Sequence, residues 1–183
     1  IDNIIKTPTI RSQHLSNLIS AEVFLKLENL QHTSSFKVRG AYISIARLKE
    51  EQKKLGVIAM SAGNHAQAVA WWAKKERVNA TIVMPEHAPL SKVMKTKSLG
   101  ADVILKGRTL NESQTYVSEL VENNALTLIH PYDDPNVVIG QGTLGLELIE
   151  DVKNLDALVI PIGGGGLISG VSIVAKTLNP QYK

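Results

Sequence analysis

Short apolar runs alternate with stretches of helical period along almost the whole chain. The runs Val23–Leu27, Val57–Met60, Ala80–Met84, Asp102–Lys106, Leu126–His130 and Ala157–Ile162 read as strands. Between and after them, apolar positions recur every three to four residues over Val38–Lys49, His65–Lys75, Ser91–Leu99, Leu110–Asn123, Thr143–Val152 and Leu167–Leu178. Strands alternating with helices of this length predict βαβ units, so the fold class is α/β with parallel sheet, right-handed crossovers and helices on both faces. Gly100, just past one helix and just before a strand, reads as a helix C-cap.

One stretch needs closer reading. No residue from Ala157 to Ala175 is charged, which alone would suit a membrane span. Pro161 and Gly163-Gly164-Gly165-Gly166 interrupt it, and consecutive glycines form helix poorly. Strand, glycine turn and helix is the preferred reading, and no membrane partner is expected.

Composition changes the picture mainly by exclusion. With 20 Lys plus Arg against 17 Asp plus Glu, the net charge is +3 and the surplus is spread along the chain. There is no basic run and there are few aromatics (two Trp, four Tyr, two Phe), so nucleic acid is not an expected partner. The lack of Cys excludes disulfides, Cys-ligated zinc and thiol catalysis, and suits a reducing compartment such as the cytoplasm.

The chemistry-bearing signals are glycines, one lysine and one loop. Gly163–Gly166 follows the apolar run Ala157-Leu158-Val159-Ile160 and precedes the helix that starts near Leu167. Uncovered N–H groups there, with the helix dipole of about +0.5 charge, would cradle a phosphate. Tight packing is the plain alternative, though it needs only one or two glycines. Gly140-Gln141-Gly142-Thr143-Leu144-Gly145 matches a dinucleotide fingerprint letter for letter, but it follows the turn-rich His130–Pro135 instead of a strand, so it is read as a decoy.

Lys37 stands at the start of a helix in Ser34-Ser35-Phe36-Lys37-Val38-Arg39-Gly40-Ala41, with Ser34 or Ser35 as the expected N-cap. The positive helix end and partial burial both disfavour an ammonium, which suits a carbonyl-seeking nucleophile or general base. Ser61-Ala62-Gly63-Asn64-His65-Ala66-Gln67 turns a strand into a helix. Asn64 with Gln67 could be a capping box, or the loop could present N–H groups to a carboxylate. His65 could be a core histidine, and it has no partner at metal-ligand spacing. A phosphate cradle, a Schiff-base lysine and a carboxylate loop together describe a site for pyridoxal phosphate and an amino acid.

The same three segments, with Lys26-Leu27-Glu28-Asn29, Val83-Met84-Pro85 and Gly140-Gln141-Gly142-Thr143, closely resemble the threonine dehydratase/serine racemase family. The resemblance runs essentially from end to end. It implies the tryptophan-synthase-β fold (fold type II) and pyridoxal 5′-phosphate as cofactor. It implies a smaller domain over residues 56–132, set into a larger one made from residues 1–55 and 133–183. By the same resemblance Lys37 would hold the cofactor and Phe36 would line its ring. Asn64 would bond its 3′ oxygen, Gly163, Gly164, Gly165, Gly166 and Leu167 would take the phosphate, and Ser61, Ala62, Gly63, Asn64 and His65 would hold the substrate carboxylate. No metal site is expected within the chain.

Two departures from the family pattern matter. Racemising members typically carry a serine at the position of Ala62, so a methyl group there implies elimination of water from threonine or serine. The family's catalytic unit also continues past the residues that match Lys183, so the chain is expected to lack part of its large domain and the group that faces the pyridine nitrogen. A cytoplasmic homo-oligomer, dimer or tetramer, is what the resemblance implies.

Overall fold

The computed structural model describes residues 3–182. The chain opens with an antiparallel ribbon of β1 (Thr9–Arg11) and β2 (Phe24–Lys26), in which Ile10 pairs with Leu25. Between them lies α1 (Gln13–Ile19), capped by the Ser12 hydroxyl. Two 3₁₀ turns, Glu28–Leu30 and His32–Ser34, lead into α2 (Lys37–Ala46) and α3 (Glu50–Leu55).

A four-stranded parallel sheet follows: β3 (Val57–Met60), β4 (Ala80–Met84), β5 (Asp102–Leu105) and β6 (Thr127–Leu128), in the spatial order β5-β4-β3-β6. Its crossovers are α4 (Asn64–Lys75), α5 (Leu90–Ser98) and α6 (Leu110–Asn124). The two-residue period of strands splits their side chains between two cores. Val57, Ala59, Ile82 and Met84 pack with α2 and α4, including the buried Trp72, while Ile58 and Val83 pack with Val117 of α6. Because all four strands run the same way, their carboxyl ends and the loops after them share one rim of the sheet.

The last part of the chain is α7 (Pro135–Asp151), an extended stretch, and α8 (Gly166–Leu178). Helix α7 begins well before the expected Thr143. Asp134 caps it by accepting from the N–H groups of Asn136 and Val137, and Pro135 occupies the first turn, where its missing N–H costs nothing. The fingerprint-like glycines therefore lie inside a helix. A methyl group on Gly140 would overlap the backbone of Arg39 and Gly40 on α2, and one on Gly142 would meet the Gly170 carbonyl of α8 at 3.0 Å. They are sites of close helix approach, which is why the dinucleotide pattern carries no dinucleotide geometry here.

One strand expectation needs correction, and three short elements were not foreseen. Ala157–Ile162 is extended but is not a strand. Leu158 and Ile160 pack on Leu144, Leu148, Leu167 and Val171, while Val159 is 96% exposed. A ladder needs a neighbour, and among the described residues none hydrogen-bonds to this stretch. The ribbon strand β1 and helices α1 and α3 were not expected, being too short to show a clear period. Among the described residues no helix is long and apolar enough to cross a membrane.

Candidate active site

Lys37 is the first residue of α2, at the rim to which the sheet's carboxyl ends point. Neither Ser34 nor Ser35 caps the helix. Phe36 is the cap residue and makes no side-chain cap bond, and among the described residues the buried Ser35 hydroxyl has no partner. The approach is strained, because Thr33 and Ser34 both sit in the left-handed region at φ 56° and 58°. The Lys37 amine donates to the Pro131 carbonyl at 2.7 Å and lies 5.3 Å from the Phe36 ring centre. Burial pushes its pKa below the ordinary lysine value. That favours the neutral amine, the form able to attack a carbonyl.

The residue after Pro131, Tyr132, packs against the Gly163–Gly166 loop. A methyl group on Gly164 would overlap the Tyr132 ring, and one on Gly166 would come within 3.0 Å of the Tyr132 backbone, so two of the four glycines are accounted for by packing. Among the described residues nothing lies within 4 Å of a methyl position on Gly163 or Gly165, and Gly165 has φ +91° as the cap residue of α8. The first backbone bond into α8 is Ser169 N–H to the Gly165 carbonyl. Among the described residues no acceptor meets the N–H groups of Gly166, Leu167 and Ile168. An open loop with three unspent donors at a helix N-terminus fits a phosphate. Leu167 itself turns its side chain into the core, so only its backbone could face an anion.

In the third segment the cap residue of α4 is Gly63, without a side-chain bond, so the capping-box reading of Asn64 and Gln67 does not hold. Asn64 is exposed at the first helical position, and among the described residues its carboxamide has no hydrogen-bond partner. Ser61 accepts from Gly63 N–H through its hydroxyl at 3.1 Å, which rigidifies the loop, and Ala62 packs against the core. His65 is buried with Nε2 2.8 Å from the Ile129 carbonyl. Burial lowers its pKa to about 4, the bond to the Ile129 carbonyl opposes that, and the charges of Lys37 and His130 add to it. It is a neutral core group that fixes the β6 loop, so any contact it makes with substrate would be through its backbone.

Sequence reasoning missed the segment that joins these parts. Pro131 receives the lysine, Tyr132 seats the glycine loop, and His130 Nδ1 accepts from Asp133 N–H at 2.8 Å. Its position directly after a strand was the available signal, because ligands of open α/β sheets gather at strand carboxyl ends. The charged group behind α2 was also missed. There Arg39, Glu28 and Glu147 form a buried cluster.

The residues fit a cofactor that carries an aldehyde and a phosphate: one amine of lowered pKa, one ring face beside it and one open anion loop. A family profile described as pyridoxal-phosphate dependent enzyme matches residues 1–183. The catabolic L-threonine dehydratase TdcB of Staphylococcus aureus (strain USA300) is 53% identical over 177 residues, which is 96% of this chain and 51% of that protein. In the solved structure of the processed form of threonine deaminase isoform 2 from Solanum lycopersicum, 50% of that chain superposes on all of this one, with TM-score 0.96 and 42% identity. Serine racemase from Dictyostelium discoideum superposes with TM-score 0.94 and 43% identity over 100% of this chain and 59% of its own. The chain thus spans about half the length of the curated relatives it matches. With three ordered motifs, a matching fold and a profile match over its whole length, the chain belongs to the pyridoxal-phosphate dependent enzyme family.

Proposed function

We propose that the protein to which this chain belongs eliminates water from L-threonine, and from L-serine, giving a 2-oxo acid and ammonia. The observation that carries this reading is the Lys37 amine, held with a lowered pKa at the Pro131 carbonyl, next in sequence to the Tyr132 that packs on the glycine loop. Pyridoxal phosphate, when bound, supplies the electron sink that makes an amino-acid Cα–H acidic.

In this reading Lys37 would hold the cofactor and, as a free neutral amine, would take the Cα proton of the substrate. The N–H groups of Gly166, Leu167 and Ile168 would hold the phosphate, Phe36 would line the ring and Asn64 would bond the 3′ oxygen. The loop from Ser61 to His65 holds the substrate carboxylate and so orients Cα–H toward Lys37. The Cα–H electron pair would form the new double bond as the β-hydroxyl leaves with the proton that Lys37 had taken, and the released enamine would add water and break down to the 2-oxo acid and ammonia. Residues 56–132 act as the smaller domain over this site. The protein is read as a cytoplasmic homo-oligomer, in keeping with the Cys-free composition and with the exposed apolar residues Ile10, Leu18, Ile19 and Leu25.

Racemisation is the second reading, favoured by the similarity to serine racemase. It needs a proton donor on the face opposite Lys37, and Ala62 has none. The test is product analysis of the full-length protein with each amino acid. Ammonia and 2-oxo acid with negligible D-serine are expected, and D-serine formed as fast as ammonia would overturn the assignment.

A further inference from the structure

Lys37 and Arg39 are two residues apart, so about 200° of helix rotation separates them and they project from opposite faces of α2. Arg39 is fully buried, with 0% side-chain exposure. Its Nε and one terminal nitrogen fork onto Glu28 at 2.9 and 2.8 Å. Its two terminal nitrogens also fork onto Glu147 of α7 at 2.7 and 2.9 Å, and one reaches the Thr143 hydroxyl at 3.1 Å. A guanidinium has five N–H donors in a fixed plane, and here all five are used. The acceptors are held in turn. Thr7 donates to Glu28 at 2.6 Å, and Lys26, itself buried, bonds Glu147 at 2.8 Å and Asp151 at 3.0 Å.

Such a group is a poor device for stability alone, since desolvating its charges offsets much of their attraction. Its rigidity serves register. A planar fork fixed on two sides allows α2 neither rotation about its axis nor a slide along α7. The glycine contact between α2 and α7 beside it sets separation only, because Gly140 presents no side chain that could resist rotation. We propose that Arg39 is a positioning residue: clamped between Glu28 and Glu147, it sets the rotation of α2 and thereby aims the Lys37 amine into the site. This deepens the reading of Lys37 as the cofactor lysine and rests on it.

The test uses the full-length protein stripped of cofactor and titrated with pyridoxal phosphate. Arg39→Lys keeps the charge and loses the fork. With circular dichroism unchanged, it should slow capture of the cofactor by Lys37 on the order of tenfold to a hundredfold, as expected when a reacting group is misplaced by about 1 Å, and weaken cofactor binding in the same direction. It should also displace the pH midpoint of the bound cofactor's visible absorption. Thr143→Val, which removes one of the five bonds, should move these readouts the same way by less, and it decides the matter if Arg39→Lys does not fold. A folded Arg39→Lys with unchanged capture rate, affinity and midpoint overturns the proposal, as does an unchanged Thr143→Val where Arg39→Lys fails to fold. Failure of the underlying reading would look different, since borohydride reduction of the unsubstituted protein would then fix the cofactor to a lysine other than Lys37.

Discussion

The two glycine-rich stretches of this chain look alike in sequence and do opposite things. Gly140, Gly142 and Gly145 are spent on contact: each faces a neighbouring helix, and no space is left around them. Gly163–Gly166 is only half spent. Gly164 and Gly166 seat Tyr132, while Gly163 and Gly165 border open space beside three N–H groups without acceptors. The same contrast divides α2. Arg39 faces a closed, fully bonded cluster, and Lys37 donates to the Pro131 carbonyl at the rim of the sheet. Glycine spacing therefore does not report a ligand. What a side chain would strike at each position does.

Each prediction below applies to the full-length protein. The largest expected effect is on the closed side. Gly140→Ala forces backbone apart from backbone and should lower unfolding stability by about 3 kcal/mol or more, read from denaturant midpoints. On the open side Gly164→Ala should cost about 1–3 kcal/mol, because the Tyr132 ring can swing away. If the two losses come out in the opposite order, the contrast is wrong.

Acid separates the sides next. An unfolded His65 takes up a proton near 6.5, but the folded one resists until about pH 4, so the fold should lose up to about 3 kcal/mol as pH falls through that window. His65→Gln should abolish that loss. The closed side titrates lower. Burial works to raise Asp151, but bonds from Thr9, Lys26 and Lys6 hold it at about 2, so its contribution persists until the pH drops below 3.8. Glu147 follows the same sign, since Arg39 and Lys26 outweigh its burial. A wild-type Tm that is flat between pH 6.5 and 4 would contradict the placement of His65.

Ser34 marks strain at the entry to α2. Ser34→Gly should raise stability by about 0.5–1 kcal/mol by relieving φ 58°, measured by thermal unfolding, and no gain would mean that the turn is unstrained. The smallest stability effect belongs to Gly163. Gly163→Asp should stay within about 0.5 kcal/mol of the parent and yet weaken pyridoxal phosphate binding at least tenfold, by placing a carboxylate against the phosphate. Equal loss of both would reassign the loop to packing.

Much of this arrangement was legible in the sequence. The β3 and β4 bounds coincide with their apolar runs, because buried parallel strands are nearly continuous in apolar residues. Helix α7 was read short because the cap signal Asp134-Pro135 was overshadowed by its glycines. Ala157–Ile162 showed the period of a strand without the neighbour that a strand requires. Lys37 stood out by motif, whereas Pro131, Tyr132 and the Arg39 cluster depend on contacts between residues far apart in the chain, which no local pattern encodes.

The central claim is that Lys37 is the lysine of the open side that carries pyridoxal phosphate. Borohydride reduction of the loaded full-length protein, followed by peptide mass mapping, tests it most directly. The adduct should fall on Lys37 and vanish in Lys37→Ala, while Lys37→Ala keeps its folded circular dichroism spectrum. An adduct on Lys26, Lys92 or any other lysine of the unsubstituted protein would contradict the account.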